Sequence, residues 1–251
     1  MYSPIEIARN YPETGKAKTA MSLRKTLQLA ILAGMFIALA GVGATFGSIY
    51  VNKVMGAAIF PAGLAMVVIA GSELFTGNCL LILPMLNKTI TAGKMLRNWI
   101  LVYVGNLIGA ILIAALTVWG GTFDNIYETV IATAVTKATL PFDVALLRGI
   151  LCNVLVCLAV WMAMAAKDVA GKIMGLFFPV FLFVLCGFEH CVANMFYLPA
   201  GIFAASHYGA AAEGLSFGTM WLGNLLPVTL GNIIGGCAVG GIYWLIYLKK
   251  E

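Results

Sequence analysis

"VLCGFEHCVANMF", residues 184–196, is the stretch on which the reading of this chain turns. Its Val, Leu, Phe and Met suit hydrocarbon, yet Gly187, Glu189 and His190 interrupt them where an ionisable group is most costly to bury. A chain that keeps such groups at that depth uses them.

Composition sets the solvent. Of 251 residues, 62% are hydrophobic and 10% charged, whereas a soluble domain is about half apolar and a quarter charged. The charges cluster between apolar stretches long enough for a hydrocarbon core of about 30 Å, which takes roughly 20 helical residues. Six such stretches run at about 27–51, 57–83, 97–119, 141–165, 172–205 and 216–247. The expected fold class is an all-α polytopic membrane protein, with one transmembrane domain over residues 24–251 behind a polar segment 1–23. That segment has no apolar core beside a cleavage site, so it does not read as a removable signal peptide.

Basic residues orient the spans. If both termini and the second and fourth connections share a side, that side holds Arg9, Lys16, Lys18, Arg24, Lys25, Lys88, Lys94, Arg97, Lys167, Lys172, Lys249 and Lys250. Opposite stand Lys53, Lys137 and Arg148. Short loops rich in Lys and Arg stay in the cytoplasm, so both termini are expected there, in an inner (plasma) membrane. The net charge of +5 is then a topology signal and implies no nucleic-acid partner. Trp99, Trp119, Trp161, Trp221 and Trp244 fall near span ends, where an amphipathic ring suits the interface. Six cysteines lie in or beside apolar spans without paired spacing, which argues against a disulfide framework. Cys186, His190 and Cys191 come nearest to a metal set, but no second cluster completes four ligands, so neither metal nor cofactor is expected.

The chain repeats itself. "AILAGMFIALA" (30–40) matches "GILCNVLVCLA" (149–159), "GNLIGA" (105–110) matches "GNIIGG" (231–236), and "AGSELFTGN" (70–78) stands where "CGFEHCVAN" (186–194) stands later. Three spans repeated as three spans must insert in opposite directions, which predicts an inverted 3+3 repeat, about 24–120 and 141–248, related by an axis in the membrane plane. Spans two and five are overlong, carry Gly with polar residues at mid-length, and are followed by Pro84 and Pro199. Each reads as two half-helices joined by irregular backbone, which is tolerated at that depth only inside protein or along a watery cavity. A lone Gly187 or Gly77 would indicate only close helix packing. Glycine beside Glu in both equivalent elements points instead to a pore.

Glu73 and Glu189 occupy equivalent positions, which suggests a shared scaffold job, accepting hydrogen bonds from the N–H groups freed at the breaks; proton handling is the competing reading. His190 has Leu74 as its counterpart, and a group that breaks the repeat is the better functional candidate. His207, near a loop, reads as solvated, and Arg148 as a span-end residue that snorkels. The N-terminal segment fits either a surface-lying helix or a gate at the cytoplasmic mouth.

"AGSELFTGN", "LCNVLVCLAVWM", "CGFEHCVANMF" and "NLLPVTLGNIIGG" together resemble the formate/nitrite transporter family, in order and across the chain. The resemblance implies an aquaporin-like protomer of six spans, assembled as a homopentamer with one pore per protomer. Two apolar constrictions would bracket the central His190. Leu74, Phe75 and the backbone around Thr76 resemble the cytoplasmic-side slit, and Phe183 the aromatic of the other. Thr76 and Asn153 look like polar partners of the imidazole, and Lys137 like the lysine that draws anions into the outer vestibule.

A bare carboxylate-sized anion pays on the order of 20 kcal/mol to enter a medium of dielectric about 4, which allows roughly one crossing in a hundred seconds. The expected remedy is hydrogen bonding along the path together with transient protonation at His190, so that a neutral acid clears the slits. Formate is the first expected substrate, with hydrosulfide and nitrite close behind and protons as co-participants. A proton-coupled secondary transporter of the same anions is the alternative. A water or glycerol channel would show paired Asn-Pro-Ala turns, and none occurs; a membrane enzyme would need a nucleophile or cofactor motif that is not beside His190.

Overall fold

The computed structural model describes residues 1–249; Lys250, counted above with the basic side, lies outside them. Ten helices make up the bundle among the described residues. They are α1 (Pro4–Ala20), α2 (Leu23–Tyr50), α3 (Lys53–Ile69), α4 (Phe75–Leu86), α5 (Ala92–Trp119), α6 (Tyr127–Ala138), α7 (Phe142–Ala165), α8 (Val169–Leu185), α9 (Cys191–Tyr208) and α10 (Phe217–Tyr247). Among the described residues, α2, α5, α7 and α10 are long and apolar enough to cross a membrane.

The remaining apolar length comes in broken pairs. Helices α3 and α8 stop at Gly71 and Gly187, both left-handed with φ +78° and +70°. In each case the N–H three residues past the helix end turns back onto a carbonyl of the last turn: Ser72 to Val67 (2.9 Å) and Phe188 to Phe183 (3.0 Å). This is the Schellman closure that glycine permits without steric cost. After five residues the chain restarts, as α4 at Phe75 and as α9 at Cys191. The breaks therefore fall within the two stretches that the sequence marks.

Packing follows the same match. Helix α2 lies along α5, and α7 along α10; α3 touches α8, while α4 packs on α10 and α9 on α5. The close crossings rest on missing side chains: a Cβ at Gly34 would land on the Asn106 carbonyl, at Gly109 on that of Ile31, and at Gly235 on that of Ile150. Buried positions of α2 are Ala and Gly with one Ile and one Thr, whereas Leu32 and Leu39 point outward. Small residues inside and large ones outside is the pattern of helices that meet in lipid, where close backbone approach replaces a hydrophobic driving force.

Three features depart from the sequence reading. The N-terminal segment is neither loose nor merely surface-lying. It forms α1, capped by Ser3 and Glu6, and buries Ile7, Ala8 and Tyr11 against the bundle. Residues 127–138, read as connection, form α6, with Val130, Ile131, Ala134 and Ala138 inward. Trp99 and Trp161 are buried rather than interfacial: Trp99 donates to the Asn78 carbonyl (2.8 Å) and Trp161 stacks on Tyr243. A broken helix leaves a carbonyl in need of a donor, and the indole N–H of Trp99 meets it.

Forcing a side chain into a crossing tests the packing. Gly109→Val should cost about 1–3 kcal/mol by overpacking and lower the unfolding temperature in detergent, while Gly93→Ala, with nothing closer than the Thr91 hydroxyl at 4.0 Å, should leave it unchanged.

Candidate functional site

Both breaks are held by an asparagine from a long helix. On α5, the Asn106 carbonyl oxygen accepts from the Phe75 N–H (2.9 Å), and its amide donates to the carbonyls of Ala30 (2.7 Å) and Glu73 (2.9 Å). On α10, Asn232 accepts from the Cys191 N–H (2.9 Å) and donates to the carbonyls of Gly149 (2.8 Å) and Glu189 (3.0 Å). One carboxamide thus satisfies the restarting helix, the irregular backbone and the neighbouring span at once. A primary amide, with two donors and an acceptor, suits this arrangement.

The glutamates do a different job from the one expected. Their carboxylates take side-chain donors, not the freed backbone N–H groups, which the asparagines already hold. Glu73 accepts from Asn78 (2.7 Å) and from Lys18 of α1 (2.7 Å). Glu189 accepts from Asn194 (2.6 Å) and from Lys137 of α6 (2.9 and 3.0 Å). Asn78 and Asn194 pass the chain on to the side-chain oxygens of Asn98 (2.9 Å) and Asn224 (2.7 Å). Each carboxylate therefore sits buried with a lysine and an amide, the pairing that makes a buried charge tolerable.

His190 and Thr76 meet. The Thr76 Oγ1 lies 2.8 Å from His190 Nε2, and His190 Nδ1 accepts the Ala193 N–H (3.1 Å) as the cap of α9. With Nδ1 taken as acceptor, the neutral ring carries its proton on Nε2 and donates to Thr76. A second ring proton would displace the Ala193 N–H. Asn153 is one step removed: its amide donates to the carbonyls of Thr76 (3.2 Å) and Asn232 (2.6 Å), and it has no hydrogen bond to the imidazole. This corrects its expected place as a partner of the ring, because backbone carbonyls of α4 and α10 take that amide.

Two cavities share walls with a small void beside the imidazole. One, about 270 Å³, is lined by Lys53, Thr133, Lys137, Glu189 and His190. The other, about 370 Å³, lies under α1 and is lined by Tyr11, Lys18, Glu73 and Leu74. Between them is a void of about 10 Å³ walled by Ile37, Phe60, Leu64, Leu74, Val156, Val180, Phe183 and His190, room for at most about one water. Leu64 and Leu74 also face the second cavity, and Phe60, Phe183 and His190 the first. The three spaces thus lie in series.

Phe183 stacks on the imidazole (5.8 Å, 20°) and meets Phe60 edge-on (5.8 Å, 83°). Phe75 does not share this wall. It packs against Trp99 and Tyr103 and lines neither cavity nor the void. Phe60, Lys18 and the asparagines escaped the sequence reading. The signal for the asparagines was present, since Asn78 and Asn194 close the quoted stretches and Asn106 and Asn232 hold the same place in the matched "GN" motifs.

Removing one amide measures the scaffold. Asn232→Ala orphans a buried N–H and two carbonyls, each costing about 1–3 kcal/mol, and should leave little folded protein by size-exclusion chromatography in detergent. Ser48→Ala, exposed at a cavity wall, should behave as the native chain.

The formate/nitrite transporter family model matches residues 5–245. A probable formate transporter of Methanothermobacter thermautotrophicus is 40% identical, over 99% of this chain and 98% of that protein. The formate channel FocA of Escherichia coli strain K12 is 38% identical, over 99% of this chain and 95% of that protein. Among solved structures, a pentameric formate channel with formate bound matches with a TM-score of 0.80 at 38% identity, over 90% of this chain and 98% of that one. An FNT family ion channel matches at 0.87 and 30%, over 96% and 98%. With its apolar helices, this makes the chain an integral membrane protein that belongs to the formate/nitrite transporter family.

Proposed function

We propose that the chain is a channel for small monovalent weak-acid anions, with formate the first substrate and hydrosulfide and nitrite also passed. The observation that carries this reading is the series of two cavities, each with a lysine and a glutamate in its wall, joined by an apolar void beside His190. A relative named a formate channel at 38% identity supports the substrate, and the pentameric neighbour supports a homopentamer. In this reading the six apolar stretches are six crossings, α3 with α4 and α8 with α9 serving as broken spans, and the two halves insert as inverted repeats. Residues 24–251 form the transmembrane domain of an inner-membrane protein, and the basic residues keep both termini cytoplasmic.

The void explains why a plain anion does not suffice. Phe60, Leu74 and Phe183 offer it no hydrogen bonds, and a desolvated anion meets a barrier on the order of 20 kcal/mol. As the dielectric falls along the narrowing, the proton affinity of a weak acid rises. The anion therefore takes a proton from the water of the cavity beside His190, whose ring Thr76 and the Ala193 N–H hold in place, clears the void as the neutral acid, and returns the proton to water on the other side. Lys137 and Glu189 on one face, and Lys18 and Glu73 on the other, keep water and polar groups at its two ends.

Uptake of formate, nitrite and hydrosulfide into proteoliposomes across an imposed pH gradient tests this. The native chain should pass formate rapidly, faster into the alkaline lumen. His190→Asn should slow flux tenfold or more and flatten its pH dependence. Retention of both the native rate and the native pH profile by His190→Asn would remove the ring from the mechanism.

A further inference from the structure

The cationic residue best placed to gather anions is not the one buried deepest. Three charged side chains line the outer cavity: Lys53, Lys137 and Glu189. Lys137 donates twice to Glu189, at 2.9 and 3.0 Å, and its remaining surroundings include the Tyr197 ring 5.5 Å away. The pair carries no net charge, so its field falls off steeply and an approaching anion meets a dipole. To bind an anion, Lys137 would have to release a buried carboxylate, which is costly.

Lys53 is free of that constraint. It opens α3 at the cavity rim, is exposed, and among the described residues has no carboxylate within 4.0 Å. Glu128, next to the wall residue Thr129, makes no ion pair with it. The cavity's net charge of +1 is therefore the charge of Lys53. The same wall carries Thr45, Ser48, Thr129 and Thr133, uncharged residues that leave the field of Lys53 uncompensated. A cleft lined by one sign of charge between low-dielectric walls raises the local concentration of the opposite ion.

From this arrangement we infer that Lys53 is the anion-capturing residue of the outer mouth, and that Lys137 serves to hold Glu189 and the restart of α9. The inference rests on the proposed channel function. The ligand class is a small monovalent oxyanion or hydrosulfide, selected at this depth by charge alone.

Salt dependence separates the two lysines. Initial formate uptake into right-side-out vesicles is measured at about 0.01 M and about 1 M osmotically balanced salt, where the screening length is roughly 30 Å and 3 Å. Lys53→Glu should raise the half-saturating formate concentration about three- to tenfold at low salt, with a much smaller change in maximal rate. The difference should vanish at high salt, and Lys53→Arg should restore native behaviour. Lys137→Gln should instead lower the maximal rate or the yield of folded protein at both salts. Native half-saturation in Lys53→Glu at low salt, with flux intact, would overturn the capture role and leave the channel reading standing. No flux of formate, nitrite or hydrosulfide through the native chain would sink both.

Discussion

Opening a helix inside a packed apolar bundle exposes donors and acceptors that need partners, and the centre of this protein is arranged around how that need is filled. Asn106 and Asn232 each join a restarting helix, a stretch of irregular backbone and an adjacent span through one carboxamide. With the backbone satisfied by those amides, the side chains at the breaks are released for other uses. Leu74 and His190 turn toward the void, and Glu73 and Glu189 toward their lysines. The close α2–α5 and α7–α10 crossings bring each asparagine within reach, so the glycines at those crossings also position the site.

The second constraint is charge. Two carboxylates and two lysines lie near the centre, and each lysine comes from outside the six apolar stretches, Lys18 from α1 and Lys137 from α6. Helices that look peripheral in sequence are therefore tied to the core by buried ion pairs. Removing either lysine would strand a carboxylate, a larger penalty than the pair itself is worth. The docking of α1 and α6 is in this sense electrostatic as well as apolar, since Tyr11 of α1 and Val130 of α6 are also buried.

Much of this was legible in the sequence because it is periodic. The breaks within 70–78 and 186–194, the matched glutamates and the asymmetry of His190 all follow from aligning one half with the other, although the first break turns at Gly71 and not at Gly77, which lies within α4. The sequence misled where a residue type has two physical uses. Trp99 and Trp161 read as interfacial by position, yet an indole N–H also serves a buried carbonyl. Glu73 and Glu189 read as caps for backbone donors, a service that an amide performs with less charge to compensate. Helix α6 was hidden because only one side of its twelve residues is apolar, which hydropathy averages away. Asn153 was assigned to the ring by resemblance, whereas its hydrogen bonds go to backbone carbonyls of α4 and α10.

The Thr76–His190 contact has a consequence for the two halves taken as building units. In the matched stretches Thr76 stands opposite Val192, and His190 opposite Leu74. The hydrogen bond of 2.8 Å thus joins the odd member of one half to the odd member of the other. A symmetric assembly of two first halves would face threonine with leucine, and one of two second halves would face histidine with valine. Neither could form the contact, so this hydrogen bond exists only because the two matched stretches differ at these positions.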